Sequence, residues 1–489
     1  MPFRPFSREQ SWLLPPSVDE WVPADHTVRF VGAFVDALGA SGWRELGVAP
    51  EGEDEGAPAY DPRVLLGVWL YGFMTGVRSA RKLEAACRDQ VPYWWLTGCQ
   101  RPDHNTLWRF YERHRQGMRG LLKRTVRTAV RVGLVDLAVQ AVDGTKVGGN
   151  AAKDRTYDRA GLERLLERTE GAIADLEAQN RTGGEEAVRR LPRALARAEG
   201  LRTRVREALS RVQAEETVGS VNLTDGDARW MKSRQGMVMG YNAQAVVSAL
   251  EVTGAGRTGL LITAAAVVTE ANDSGQLTPM VEAAAAQTGA AAGVTVADAG
   301  YHSGAELARC ADRKVVVVMP ESQEGQVTEP YHKEQFAYEA TSDTYTCPAG
   351  QVLRFRGIKR RGKREATRAY RGSGQVCRGC AAFGTCTRER RQGRTLEVGP
   401  HEERLRAHRA FMATEEAQAV YGKRKELVEP TFGILKEEQR ARRFLLRGLE
   451  NVRAEWALLA TAFNLRTLYR VWRGAGAGER RVHLAGATG

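Results

Sequence analysis

Asp143 closes the apolar run of "LAVQAVDGTKVGGN" (137–150), and Asp298 closes that of "VTVADAGYHSG" (294–304). Each aspartate is followed by glycine within two residues. An ionised carboxylate at the end of a buried strand is costly unless a cation meets it. Two or three convergent carboxylates solve this by holding Mg²⁺ or Mn²⁺, hard ions that take oxygen ligands. A third acid, Glu429, stands in "YGKRKELVEPTFGILKEEQRARR" (421–443), where Glu429, Gly433 and Lys436 are spaced i, i+4 and i+7 and so share one helix face. The acid would bind metal, the lysine would reach a phosphate, and the glycines would leave room for a substrate backbone. Taken singly, each acid reads better as a surface or strand-end residue; together they point to metal-dependent phosphodiester chemistry.

Positioning three such distant acids requires a sheet with flanking helices. The pattern predicts an α/β fold: apolar or alternating runs at "GYNAQAVVSA" and "GLLITAAAVVTE", a helix at "SGQLTPMVEAAAAQTG", the Asp298 strand, a helix from about Ser303, and the strand "KVVVVMP". Residues 1–136 read as a helical N-terminal region. Within it "SARKLEAACRDQ", "VPYWWLTG" and "DHNTLWRFYERHR" are short amphipathic segments ending in Arg109, Arg113 and Arg115, compatible with a helix-turn-helix reader or with a bundle bearing a solvated basic face. Residues 151–217 carry two Arg/Glu-rich helices separated by "RTGG". The second has coiled-coil spacing through Val188, Leu191, Leu195, Ala198, Arg202, Val205, Leu209 and Val212, and Pro192 is expected to kink or start it. Pro430 is expected to start or bend the helix that bears Glu429. The core is then 137–150, 218–320 and 400–472, split by the hairpin and by a polar, Cys-rich stretch at 321–399, with a flexible tail at 473–489.

The totals set the partners. In 489 residues, Lys+Arg 72 against Asp+Glu 59 gives a net charge of +13, and arginine, suited to bidentate phosphate contacts, predominates. A polyanionic partner is expected. The N-terminus lacks a secretory pattern and no apolar run reaches the roughly 20 residues of a membrane span, so a cytoplasmic protein without membrane contact is expected. Seven cysteines in a chain of this length do not suggest a disulfide scaffold.

The chain resembles bacterial insertion-sequence transposases with a DDE triad on an RNase H-like fold. The likeness runs from about Asp61 to Leu465 and is carried by "AVDGTKVGGN", "TDGDARWMKSRQGMVMGYNAQAVV", "VADAGYHSG", "VEPTFGILK" and the N-terminal "RPDHNTLWRFYERHR". It implies Asp143, Asp298 and Glu429 as a triad binding two Mg²⁺ or Mn²⁺ ions, and a mixed sheet flanked by helices. Lys146, Arg229, Lys232, Tyr421, Arg424, Lys425 and Lys436 would contact DNA. A Tyr-Arg-Glu-Lys signature fits Tyr421, Glu429 and Lys436. Arg424 has the spacing from Tyr421 and Lys425 the spacing to Glu429, so either takes the arginine place. The implied reaction is two-metal phosphoryl transfer: cleavage at the element's ends and strand transfer of the 3′-hydroxyl into target DNA. The implied partners are double-stranded DNA, both terminal inverted repeats and target, and a second copy of the chain in a homodimer assembled on DNA. A nuclease that hydrolyses without joining ends, and a non-catalytic DNA-binding protein on the same scaffold, are the alternatives.

Cys347, Cys377, Cys380 and Cys386 make a Cys₄ set for a structural zinc, with free buried thiols as the alternative. Cys87, Cys99 and Cys310 read as ordinary buried residues. The Arg/Lys-dense "RFRGIKRRGKREATRAYRG" is either a phosphate-contacting arm or a solvated loop.

Overall fold

Local signals start and stop the helices. Asp61, Ser79, Asp103, Ser303 and Thr414 each accept a hydrogen bond from a backbone N–H in the first turn of the helix that follows. Gly98 and Gly289 close two helices at φ 58° and 85°, a left-handed conformation glycine adopts without a Cβ penalty. The computed structural model describes residues 17–48, 60–182, 185–214, 219–233, 236–250, 259–321, 329–360 and 365–474. Eight helices come first: α1 Val18–Trp21, α2 Thr27–Asp36, α3 Gly39–Glu45, α4 Pro62–Met74, α5 Ala80–Asp89, α6 Val91–Thr97, α7 His104–Met118 and α8 Gly120–Arg131.

The central sheet is built on β1 (Val135–Gly148). On one side β1 pairs antiparallel with β5 (Gly236–Leu250), whose other edge carries β4 (Arg229–Ser233) and β6 (Gly259–Val268). On the other side β1 pairs parallel with β7 (Val294–Ala297), and β7 pairs parallel with β8 (Val317–Val318). The sheet is mixed and flanked by helices, an RNase H-like fold. A two-residue ladder, β2 (Thr156–Tyr157) with β3 (Val221–Asn222), closes the base of the helical hairpin α9 (Arg159–Thr182) and α10 (Glu185–Ala214). The helices α11 (Leu277–Thr288) and α12 (Gly304–Asp312) cross between the parallel strands. A five-stranded antiparallel sheet follows, β9 (Ala337–Glu339), β10 (Thr344–Thr346), β11 (Val352–Lys359), β12 (Thr367–Arg371) and β13 (Thr395–Val398), with the short α13 (Gly374–Arg378) between the last two. The chain then forms α14 (Glu402–Met412), α15 (Glu415–Glu437) and α16 (Leu449–Gly474).

Alternation along the strands divides the core. Val142, Val246, Ala264 and Ala297 face α11 and α12, whereas Ala141, Ala243, Ala245, Val247 and Val296 face α15, α16 and the N-terminal helices in one continuous cluster. The N-terminal helices therefore share their core with the sheet. Asn464 on α16 accepts from Ile262 N–H and donates to Ile262 C=O and to Thr125, tying β6 to α8. Arg78 and Glu455, with side chains 6% and 2% exposed, form a 2.8 Å ion pair. Arg78 also donates to the carbonyls of Arg440 and Arg443, and Glu455 accepts from Leu445 and Leu446 N–H.

The structure differs from the sequence expectations at five places. β1 does not end at Asp143 but continues to Gly148, because β5 goes on pairing with it from Ala245 to Gly240. α15 runs through Pro430 without starting there, held by buried Leu427, Val428, Thr431, Phe432 and Leu435 on both sides of the proline; the carbonyl left without a donor is that of exposed Glu426. "KVVVVMP" contributes only Val317 and Val318 to the sheet. Cys99 is exposed, with φ 63°, because it follows the left-handed end of α6; Cys87 and Cys310 are buried. In the hairpin, Leu201, Val205, Ala208, Leu209 and Val212 pack with Leu162, Leu165 and Leu166. The adjoining Leu201, a leucine, takes the inward place assigned to Arg202. The side chains of Val188, Leu191 and Pro192, residues 361–364 of the Arg/Lys-dense stretch, and the tail from 475 lie outside the described residues.

Removing one partner of a buried ion pair leaves the other charged and dry. Glu455→Ala should therefore destabilise the chain by about 3–5 kcal/mol, read as a lower urea midpoint with an unchanged slope. The double replacement Arg78→Met with Glu455→Leu should cost less than Glu455→Ala alone.

Candidate active site

Register brings the two aspartates together. Val142 opposite Ala297 is the last paired position between the parallel strands β1 and β7, so Asp143 and Asp298 are the next residues on adjacent strands. Both share the parity of Ala141 and Val296 and point to the sheet face that α15 covers. Asp143 Oδ1 accepts from Gly144 N–H at 2.8 Å, and Asp298 Oδ1 from Gly300 N–H at 2.9 Å.

One guanidinium serves both. Arg424 Nη2 lies 2.9 Å from Asp143 Oδ2 and 3.7 Å from Asp298 Oδ2, with the Asp143 and Arg424 side chains 15% and 14% exposed. Burial pushes the Asp143 carboxyl up to about 6; the Arg424 guanidinium pulls it down, and the charges of Asp298 and Asp273 push it up further. Here the structure separates Arg424 from Lys425: Arg424 faces the aspartates and Lys425 is exposed.

Asp273, absent from the sequence reading, lies beside this pair. Its Oδ1 accepts from Asn242 and Gln244 at 2.7 Å each and from Lys146 at 3.4 Å. Gln244 in turn accepts from the Tyr301 hydroxyl, which burial and then the charges of Asp273, Asp143 and Asp298 push well above its ordinary value. Both glycines gain a structural reason. A Cβ on Gly144 would sit 2.3 Å from Gln244 Nε2 and 2.5 Å from Asp273 Oδ1, and one on Gly300 would lie 3.0 Å from Asp298 Oδ1. The space they clear is filled by this chain's own polar side chains. The sequence signal was the pair of buried amides, Asn242 and Gln244, in the otherwise apolar "GYNAQAVV".

The remaining expected residues divide. Glu429 is exposed on α15, on the helix stripe of Tyr421 and Lys436, and Lys436 Nζ donates to Thr145 of β1 at 2.5 Å. Arg229 and Lys232 sit on β4 against Gly240 and Met237, beyond Ala245, the partner of Asp143, and the structure does not bring them into the cluster. Arg229 donates to the carbonyls of Gly226 and Ala228. Arg109 and Arg113 are exposed on α7, whereas Arg115 is held by Asn451. In the Cys-rich sheet, Cys347, Cys377, Cys380 and Cys386 line one cleft with Gly372 and Arg394. Among the described residues, no group of three or more His, Cys, Asp or Glu side chains is arranged to hold a metal ion.

Two family models match the chain. Residues 346–469, which include the four clustered cysteines, Arg424 and Glu429, match "Transposase DDE domain", and residues 16–113 match "Transposase domain (DUF772)". Both matches are to transposase domains, one over the N-terminal helices and one from the Cys-rich sheet into α16. No curated protein and no solved structure gives a significant match. Among the described residues, no helix of the chain is long and apolar enough to cross a membrane.

Asp143 titrates higher in the fold than its ordinary 3.8, so the native state holds that proton more tightly than the unfolded chain. Its contribution to stability therefore falls as pH rises from about 4 through about 6. In metal-free buffer Asp143→Asn should be more stable than the parent at pH 7.5, by at most about 3 kcal/mol. The gain should vanish by about pH 4, measured by urea denaturation across that range with EDTA present.

Proposed function

We propose that this chain is a transposase that cleaves DNA at the ends of an insertion sequence and joins the freed 3′-hydroxyl to target DNA. The observation that supports it most is the side-by-side placement of Asp143 and Asp298 at the end of the parallel pairing, sharing one guanidinium from α15. Two carboxylates in a half-buried groove fit divalent cations in donor chemistry. Asp143, Asp298 and Glu429 would hold Mg²⁺ or Mn²⁺ ions, whose charge would stabilise the attacking and leaving oxygens. Arg424 holds the aspartates in register when no such charge is present and is within reach of a phosphate when it leaves them. Lys436, placed against β1, and the exposed Lys425 offer further phosphate contacts along the same helix; Lys146, held by Asp273, borders the groove. The substrates are double-stranded terminal repeats and target DNA, and joining two ends calls for a homodimer assembled on them.

In the Cys-rich sheet, the four cysteines that line one cleft would hold a structural Zn²⁺ through their thiolates. Cys347 Sγ accepts from Gln351 N–H at 3.3 Å and Cys380 Sγ from Ala382 N–H at 3.5 Å, so two of the four sulfurs are held in place by the backbone. The geometry is not that of a closed site in this structure, so the support is the donor chemistry and the shared cleft.

Asp143→Asn, Asp298→Asn and Glu429→Gln are each expected to abolish Mg²⁺- or Mn²⁺-dependent cleavage of end DNA while leaving DNA binding near the parental level. Retained cleavage in the triple variant sinks the site, and cleavage without joining of pre-cleaved ends leaves a nuclease. For the second metal, one zinc per chain by elemental analysis is expected, and strong chelation should lower the melting temperature of the parent but not of Cys377→Ser/Cys380→Ser.

A further inference from the structure

We propose that Asp273 is a further carboxylate of the cation site, beyond Asp143, Asp298 and Glu429, presented from the α11 side of the sheet while α15 covers the other; this rests on Asp143 and Asp298 forming that site. Asp273 stands between β6 and α11, its side chain 16% exposed. Its two oxygens are used differently. Oδ1 takes three donors, Asn242, Gln244 and Lys146. Oδ2 takes none among the described residues and lies 3.4 Å from where a Cβ on Gly300 would be, with Asp298 Oδ1 3.0 Å from the same point. Two carboxylates from different loops thus flank a residue that has no side chain to separate them.

A second, independent feature marks the same place. Asn242 is fully buried and its Nδ2 is committed to Asp273, yet its Oδ1 has no hydrogen-bond donor among the described residues. That oxygen lies 3.0 Å from the Cβ position of Gly144, the residue that follows Asp143. Buried acceptors without donors are rare in folded proteins, and one beside three carboxylates suits the water of a hydrated cation. The charge count agrees. Among the described residues the printed ion pairs of Asp143, Asp298 and Asp273 are with Lys146 and Arg424, two cations for three partly buried carboxylates.

Mn²⁺ titration of the full chain without DNA, followed by electron paramagnetic resonance, tests this. Asp273→Asn keeps an acceptor at Oδ1 and removes the charge. It should weaken Mn²⁺ binding by about 10–100-fold with an unchanged circular dichroism spectrum. Lys146→Gln, which removes the counter-charge, should tighten Mn²⁺ binding, and this second arm stands even where the first variant folds poorly. Unchanged Mn²⁺ affinity in a folded Asp273→Asn chain, an unchanged or weaker affinity in Lys146→Gln, or no Mn²⁺ binding by the parent overturns the proposal. Because no DNA is present, a parent that binds Mn²⁺ yet cleaves nothing counts against the transposition reaction and not against Asp273.

Discussion

Asp143 and Asp298 sit next to each other because β1 and β7 are parallel and in register, and two neighbouring carboxylates in a partly dry groove repel. Everything around them answers that repulsion. Arg424 places a single nitrogen within 3.7 Å of both, and a guanidinium suits this because it keeps its charge when partly buried. Backbone N–H groups of Gly144 and Gly300 take the inner oxygens. The compensation is incomplete: burial first, and then the charges of Asp298 and Asp273, push the Asp143 carboxyl up despite Arg424. An ion of higher charge density would relieve it further, and Arg424 must yield its place on the aspartates to such an ion. Through Arg424, which balances both acids, the sheet is coupled to α15.

That coupling needs a rigid frame. α16 provides it by crossing the sheet and the N-terminal helices at once. Trp456 donates to the Gln244 carbonyl directly behind the amide that holds Asp273, and Asn464 satisfies both backbone groups of Ile262. Burial drives the Glu455 carboxyl up and Arg78 down, so for each partner desolvation outweighs attraction. Such a pair adds little net stability yet fixes geometry, since neither charge can be left alone. The loop from Arg440 to Leu446, which connects α15 to α16, is held by that pair.

Much of this was legible in the chain itself. Capping residues such as Asp61, Ser79, Asp103 and Ser303 mark helix starts because their side chains act locally, and the apolar runs before Asp143 and Asp298 mark strands. What depends on distant partners was not legible. β1 outruns Asp143 because β5 supplies a ladder nearly a hundred residues away in sequence, and α15 tolerates Pro430 because tertiary burial outweighs one lost hydrogen bond. Spacing alone left Arg424 and Lys425 undecided. They lie about 100° apart on the helix, and only the packing of Leu427, Val428 and Leu435 says which of them faces inward. Asp273 was hidden for a related reason: its partners are amides on β5, and "TEANDSGQL" alone reads as an ordinary helix approach.

Charge is distributed as unevenly as the acids. Residues 337–399 hold 14 Lys+Arg and 5 Asp+Glu, a surplus of 14 − 5 = +9 out of the chain's +13. The rest of the molecule is nearly balanced, so attraction for a polyanion is concentrated on the Cys-rich sheet. There Arg354 stands directly opposite Arg371 across β11 and β12, a like-charge pairing that weakens a sheet on its own. Arg368 instead lies over the Phe355 ring at 4.7 Å and pairs with Asp343. The sheet is joined to the core by α14, where Arg409 and Glu402 pair with Glu334 and Lys333. α14 leads directly into α15, so these ion pairs link the basic sheet to the helix that carries Arg424.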